Sequence, residues 1–346
     1  MKITQIRLGK LSVPLRTPFK TALRTVDRVE DIVVELHTDT GAVGYGEAPP
    51  TGPITGDTTG GIVGGILELI APALLGQEVD DFETVTALVQ KAGVHNTSAK
   101  AAVDMALWDL YGQLHQIPVH KLLGGARRTL VTDLTISVNP PEQMARDARE
   151  AVARGYDCLK VKVGADPTLD TARLAAVRKA VGRDVCIRID ANQAWTPRQA
   201  VRILNEMQDK GLELELVEQP VPAGDLEGLA YVTRHSWVPV MADESVFSPA
   251  DALRIFQSRA ADYINIKLMK AGGIYQATKI NQICEAAGVP CMVGCMIEAP
   301  GSIAAAVAFA NAHANVRFID LDSIYMIDEN VDLGPVKRVG THLWHA

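Results

Sequence analysis

Residues 159–163 read LKVKV, 186–190 CIRID, 214–219 LELVEQ, 239–245 PVMADES and 263–268 YINIKL. Each is a short apolar run carrying a charged residue at or near its end, and a segment of helical period follows each one. Each therefore reads as a buried strand that delivers a charged side chain to one rim. LTISV at 134–138 precedes the series, and CMVGCM at 291–296 and FIDLDS at 318–323 follow it. That makes eight strands with seven intervening helices, among them Thr196 to Lys210 after a Thr-Pro start and Pro249 to Arg259 after Ser248. A strand-then-helix unit repeated this many times predicts the α/β class. It favours a closed parallel barrel over an open doubly wound sheet.

Upstream, Lys2 to Val13 and Val29 to Glu47 alternate polar and apolar residues around a Lys/Arg/Thr-rich stretch, and the second folds over Asp39-Thr40-Gly41. This predicts an antiparallel sheet. Helical periods at Gly61 to Leu74, Asp81 to Ala92 and Ser98 to Gln113 complete an α+β domain. The chain then divides into an α+β domain at 1–127, a barrel at 128–327 and a segment at 328–346, which is expected to return to the first domain. A length of 346 residues with 47% hydrophobic and 22% charged residues suits this division and excludes a disordered chain. The net charge of -7, with no basic run interleaved with aromatics, predicts no nucleic-acid partner. No window reaches the length of a membrane span, and the first residues alternate as a strand does, so a cytoplasmic protein without a membrane partner is expected. TGGIVGG at 59–65 does not follow a strand in a βαβ unit and is not read as a phosphate loop. Cysteines 158, 186, 284, 291 and 295 form no C-x-x-C pair and read as reduced, small apolar residues.

In a parallel barrel the active site is built at the carboxyl ends of the strands. Three successive strands end on Asp190, Glu218 and Asp243. Three converging carboxylates repel one another unless a cation joins them, and an all-oxygen set without His or Cys suits Mg²⁺ or Mn²⁺. The competing reading has the three acids capping the helices that follow. Lys160 and Lys162, two apart, share one face of the strand before this set, and Lys267 ends the strand after it. These lysines are either salt-bridge partners of the same acids or bases on the two sides of a metal-held substrate. In the second case a lysine removes a proton α to a carboxylate, and the cation makes the resulting enediolate accessible. Lys160 would lower the pKa of Lys162, and a base on each face would invert the stereocentre.

The series KVK, DAN, VEQP, ADES and NIKLMKAGG, following an α+β domain, resembles the muconate-lactonizing-enzyme subgroup of the enolase superfamily over nearly the whole chain. The resemblance implies a (β/α)7β modified TIM barrel with an N-terminal α+β capping domain. It also implies one Mg²⁺ per subunit on Asp190, Glu218 and Asp243, with Asn192 and Asn265 supporting the ligands, and Lys162 and Lys267 as the acid/base pair. Within the subgroup the chain is similar to the dipeptide epimerases. GYGEAPPTGPITGD looks like their capping loop, and DLDS matches their D-x-D pair, so Asp320 and Asp322 are expected to hold a substrate ammonium group. Without the resemblance, that pair reads equally well as a helix cap or a rim salt bridge.

By the same resemblance, Arg24 grips the side-chain carboxylate of the second residue of an Ala-Glu dipeptide; otherwise it reads as a solvated loop arginine. Lys160, Thr135, Phe19, Ile54, Met296 and Ile297 are the remaining expected substrate-binding residues. The run after Glu298 is APGS where the family pattern has Ser immediately after that Glu. The implied activity is epimerisation of the C-terminal residue of a dipeptide by two-lysine 1,1-proton transfer, in a homo-oligomer. The alternatives are o-succinylbenzoate synthase, N-acylamino acid racemase and muconate cycloisomerase, which share the partial reaction. Because Asp320 and Asp322 lie on the eighth strand and the metal acids on the third to fifth, the ammonium and carboxylate sites are expected to lie across the barrel mouth from each other.

Overall fold

The structure is a computed structural model that describes residues 1–125, 129–327 and 336–345. Strand β1 (Ile3–Lys20) pairs antiparallel with β2 (Thr25–Thr38), from Ile3 opposite Thr38 to Lys20 opposite Thr25 with register shifts between Ile3 and Gln5 and between Pro14 and Phe19, and β3 (Val43–Ala48) adds on the far side of β2. β1 is longer than the alternation at 2–13 predicts. It continues past Pro14 and Pro18 through a register shift, which an edge strand tolerates because its outward N–H groups have no ladder partner to lose. Helices α1 (Phe82–Lys91) and α2 (Thr97–His115) follow, and α2 packs on β3. The expected helix at 61–74 is present, interrupted by a π-helical turn at Gly65–Ile70.

After the short strand β4 (Leu130–Val131) come the eight parallel strands: β5 (Leu134–Ile136), β6 (Cys158–Lys162), β7 (Cys186–Asp190), β8 (Leu216–Glu218), β9 (Val240–Ala242), β10 (Tyr263–Ile266), β11 (Cys291–Gly294) and β12 (Val316–Asp320). They lie side by side in sequence order. Across the remaining seam, Asp133 N–H donates to Ile319 O at 3.3 Å and Thr135 N–H to Asp322 Oδ2 at 2.7 Å. The helices between the strands are α3 (Pro141–Ala153), α4 (Asp170–Val181), α5 (Pro197–Asp209), α6 (Leu226–His235), α7 (Pro249–Ser258), α8 (Ile274–Ala286) and α9 (Pro300–Ala312).

The two-residue period of a strand builds the interior in layers. Leu216, Met241 and Met292 form an apolar floor with Tyr263 and Phe318. Two residues further along the same strands stand Glu218, Asp243 and Asp320, one pleat closer to the mouth. The residues between them, such as Val217, Ala242 and Ile319, point outward into the main core under the helices.

The boundary expected at 127 falls within 126–128, outside the described residues, as does 328–335 of the C-terminal segment. The described part of that segment is a hairpin, β13 (Val336–Val339) with β14 (His342–His345). β14 pairs with β4 at the entry to the barrel rather than with the sheet of the first domain. Among the described residues, no helix is long and apolar enough to cross a membrane.

Candidate active site

Strand register sets the rim. Lys162 lies opposite Asp190 and Asp190 opposite Glu218 on neighbouring strands, while Asp243 and Lys267 sit just past the ends of β9 and β10. Asp190, Glu218 and Asp243 are each at most 1% exposed. Lys162 Nζ lies 2.6 Å from Asp190 Oδ2 and Lys267 Nζ 2.9 Å from Asp243 Oδ2. These lysines thus make the ion pairs of the salt-bridge reading and also line the cavity. Burial and the neighbouring Asp190 push the Glu218 carboxyl up to about 8. Burial also works against the charge of Asp243, yet Lys267, Lys270 and Lys160 hold it well below the usual carboxylate range.

The expected supporting residues sit against this set. Asn265 Nδ2 donates to Glu218 Oε1 at 3.0 Å, and the Asn192 N–H donates to Asp190 Oδ1 at 2.8 Å. Asn192 Oδ1, Asn265 Oδ1 and Glu244 Oε2 are buried beside the three acids without a hydrogen-bond partner. A dry, all-oxygen set with such lone pairs left over fits a hard divalent cation of the Mg²⁺ type.

Lys160 occupies the centre. Its Nζ lies 2.7 Å from Glu218 Oε2, 2.8 Å from Asp320 Oδ2 and 3.2 Å from Asp190 Oδ2. Burial disfavours its charge, but Asp320, Glu218 and Asp190 hold its pKa well above the ordinary lysine value. One expectation is corrected here. Lys160 does not face Lys162 as a bare positive charge, because both ammonium groups share Asp190 Oδ2. Asp320, on β12, stands four strands from Glu218, on β8, in the ring of eight and faces it across the mouth as expected. The gap between them is short: the Lys160 ammonium, reaching in from β6, lies between the two and pairs with both. The acid set apart is Asp322, one pleat nearer the mouth, which accepts from Thr135 N–H. Burial and Asp320 push Asp322 up to about 6, whereas Lys160 and Lys267 overcome burial at Asp320 and bring it down to about 2.

One cavity is lined by three lysines and two aspartates, Lys160, Lys162, Lys267, Asp320 and Asp322, together with Thr135, Asn192, Phe19, Arg24, Ile54, Met296 and Ile297. Residues from eight separate chain segments meet there. Arg24 stands in the hairpin loop between β1 and β2, where Thr21 Oγ1 accepts from its N–H at 3.2 Å. Burial lowers the pKa of its guanidinium, which has no carboxylate partner among the described residues. The hairpin is fastened to the barrel by Val138 N–H donating to Lys20 O and by Lys20 N–H donating to Ser137 Oγ, both at 3.1 Å. Phe19 covers the Lys162 ammonium, 5.8 Å from its ring centroid.

Sequence reasoning passed over several groups. Lys270, 1% exposed, lies 2.6 Å from Asp243 Oδ1 and donates to Val246 O and Asn265 O. Its signal was its place three residues after Lys267 in KLMK. Glu244, adjacent to Asp243, accepts from Asn192 Nδ2 at 3.3 Å. Asp133 brings a carboxyl oxygen within 4.8 Å of one each from Asp320 and Asp322, and pairs with Arg188 Nη1 at 2.8 Å. It precedes its strand, where no pattern marks it. Thr21 and Cys295 also line the cavity.

Comparison with known proteins agrees with this geometry. Residues 3–124 match the mandelate racemase / muconate lactonizing enzyme N-terminal domain family, and residues 143–344 match the enolase C-terminal domain-like family. The chain is 54% identical over 322 residues to an L-Ala-D/L-Glu epimerase of Clostridium acetobutylicum, covering 93% of this chain and 90% of that one. A substrate-liganded complex of the L-Ala-D/L-Glu epimerase from Bacillus subtilis superposes with a TM-score of 0.98 at 48% identity, covering 100% of this chain and 97% of that one. A dipeptide epimerase from Enterococcus faecalis V583, complexed with Mg and the dipeptide L-Leu-L-Tyr, gives 0.94 at 41% identity, covering 100% and 98%. Two domains matched end to end, and a cavity that joins lysines, acids and a capping hairpin, lead to one assignment: the chain belongs to the dipeptide epimerases of the mandelate racemase / muconate lactonizing enzyme family.

Proposed function

We propose that the protein epimerises the C-terminal residue of a dipeptide, with L-Ala-L-Glu and L-Ala-D-Glu as the preferred pair. The observation that carries this reading is the single cavity shared by Lys162, Lys267, Asp320, Asp322 and Arg24. Asp190, Glu218 and Asp243 would hold Mg²⁺, which when bound withdraws charge from the substrate carboxylate and makes the adjacent α-proton more acidic. Lys162 and Lys267, on strands separated by those of the three acids, act on opposite faces of the α-carbon. One lysine begins neutral and accepts the α-proton, while the other begins as an ammonium and donates a proton to the opposite face. Turnover leaves their protonation exchanged, and solvent restores it, so the product carries a solvent hydrogen. Asp322 and Asp320 hold the α-ammonium group of the first residue, and Arg24 takes the side-chain carboxylate of the second. The substrates of muconate cycloisomerase and o-succinylbenzoate synthase, and N-acylated amino acids, bring no α-ammonium group for the aspartate pair. A cytoplasmic homo-oligomer belongs to the same proposal.

The test is incubation in D₂O with a dipeptide library, Mg²⁺ present, and mass spectrometry of the recovered peptides. Deuterium at the α-carbon of the C-terminal residue, fastest for Ala-Glu, is the expected result. Exchange in N-acyl amino acids and in no dipeptide overturns the reading.

A further inference from the structure

The barrel helices differ in how their first turns are satisfied. An α-helix leaves its first N–H groups without partners inside the helix, and a Ser, Thr, Asp or Asn at its start commonly accepts from them. α5, α6 and α7 follow this rule, since Thr196, Asp225 and Ser248 each accept from a backbone N–H three residues on. α8 and α9 begin at Gly273 and Ala299 and have no side-chain cap of their own. Their acceptors come from the other domain. Asp104, on α2, accepts from Ile274 N–H at 2.6 Å and Tyr275 N–H at 3.3 Å. Asp31, on β2, accepts from Ala299 N–H, and Glu47, on β3, from Ser302 N–H, both at 2.9 Å.

The packing is built around these contacts. A Cβ at Gly301 would stand 2.8 Å from the Glu47 carboxylate, and one at Gly273, where φ is +111°, would run into Asp104. Gln90 Nε2, on α1, adds a bond of 2.7 Å to Gly272 O on the same turn. The two helices held this way follow the loops that carry cavity residues, Lys267 ahead of α8 and Met296 and Ile297 ahead of α9. The absence of Ser after Glu298 finds its physical counterpart here: position 299 has no side-chain acceptor, and Asp31 and Glu47 supply the acceptors from across the domain boundary.

We infer that Asp104, Asp31 and Glu47 are positioning residues through which the N-terminal domain sets the two substrate-facing loops of the barrel. Asp104 acts on the loop of Lys267, and Asp31 and Glu47 act on the wall formed by Met296 and Ile297. A carboxyl oxygen held at a helix N-terminus suits this role, because it accepts from the exposed N–H groups that the helix itself leaves without partners. The inference rests on the epimerase reading.

Glu47→Ala combined with Ala299→Ser separates positioning from simple capping, since the new serine can cap α9 from within while the Glu47 tie to the other domain is gone and only that of Asp31 remains. We expect the double variant to melt near the wild-type temperature yet to show KM for Ala-Glu raised about 10-fold with kcat within about 3-fold, and a weakened preference over Ala-Leu. Glu47→Gln, which keeps an acceptor oxygen, should stay close to wild type. Asp104→Ala should lower kcat about 10-fold with little change in KM, because it loosens the loop of a proposed base. A double variant with wild-type KM and preference, or Asp104→Ala with wild-type kcat, overturns the inference. Wild-type protein assayed alongside keeps the two readings apart: if it epimerises no dipeptide, the function fails, and if it does while the variants match it, only the positioning role fails.

Discussion

The barrel rim and the tip of the β1–β2 hairpin both bring charge to one cavity, but they hold it differently. On the rim, Lys160, Lys162 and Lys267 each lie within 3.2 Å of a carboxylate, and strand register sets the Lys162–Asp190 pair. At the hairpin tip, Arg24 is half-buried and has no carboxylate partner among the described residues. A charge already paired within the fold suits chemistry that must be the same for every substrate. A desolvated charge with no internal partner is available to a ligand and suits selection among substrates. The comparison separates reaction from specificity, and each half can be broken on its own.

The largest effect is expected at the rim. Lys162→Ala and Lys267→Ala should each lower the epimerisation rate by about 10³-fold or more, read by polarimetry, while one of them still exchanges the α-proton of one isomer in D₂O. Epimerisation near the normal rate in either variant breaks the assignment of the rim to chemistry. Metal removal should act on the same half: EDTA treatment abolishes turnover, Mg²⁺ restores it, and Glu218→Gln weakens metal binding in calorimetry. Full turnover by rigorously metal-free protein would count decisively against this.

The hairpin should respond with selectivity instead. Arg24→Met should reduce kcat/KM for Ala-Glu by roughly 30-fold, the size of a lost buried charge-assisted contact, and should change Ala-Leu far less. Equal losses on both dipeptides would erase the distinction between tip and rim.

A smaller effect sharpens the boundary between the domains. Burial raises the Asp104 carboxyl to about 8, from an ordinary value near 4. The folded protein therefore binds a proton at this site that the unfolded chain releases, so the site's contribution to stability falls as pH rises from about 4 to about 8. Asp104→Asn keeps an acceptor for Ile274 but cannot ionise. Its melting temperature relative to wild type should climb across that window, by at least about 2 °C. A constant difference from pH 4 to pH 8 would mean that Asp104 does not change its ionisation there.

Much of the site was legible because strands repeat every two residues and charge inside a barrel is rare. Lys162, Asp190 and Glu218 could be read as neighbours on one rim from their strand-end positions alone, and they are adjacent in register. Asp133 and Glu244 escaped because one stands before its strand and the other beside a more conspicuous acid. Arg24 was identified by resemblance to a family. Nothing in PFKTALRTV says that a hairpin tip 110 residues before the barrel will bend over its mouth.

The sequence by itself determined the order of strands and helices, the side chains that face inward and the donor chemistry at the mouth, because period and residue type are local properties of the chain. The tertiary structure alone decided which inward charges meet. Lys160 joins Glu218 to Asp320 because its ammonium group reaches the middle of the ring, where acids from opposite strands also arrive, and strand numbering carries no such distance. It also decided that α8 and α9 are capped by Asp104, Asp31 and Glu47. A helix start at Gly273 or Ala299 shows only that its own cap is missing, and the acceptors arrive from residues 170 to 268 positions away once the two domains pack.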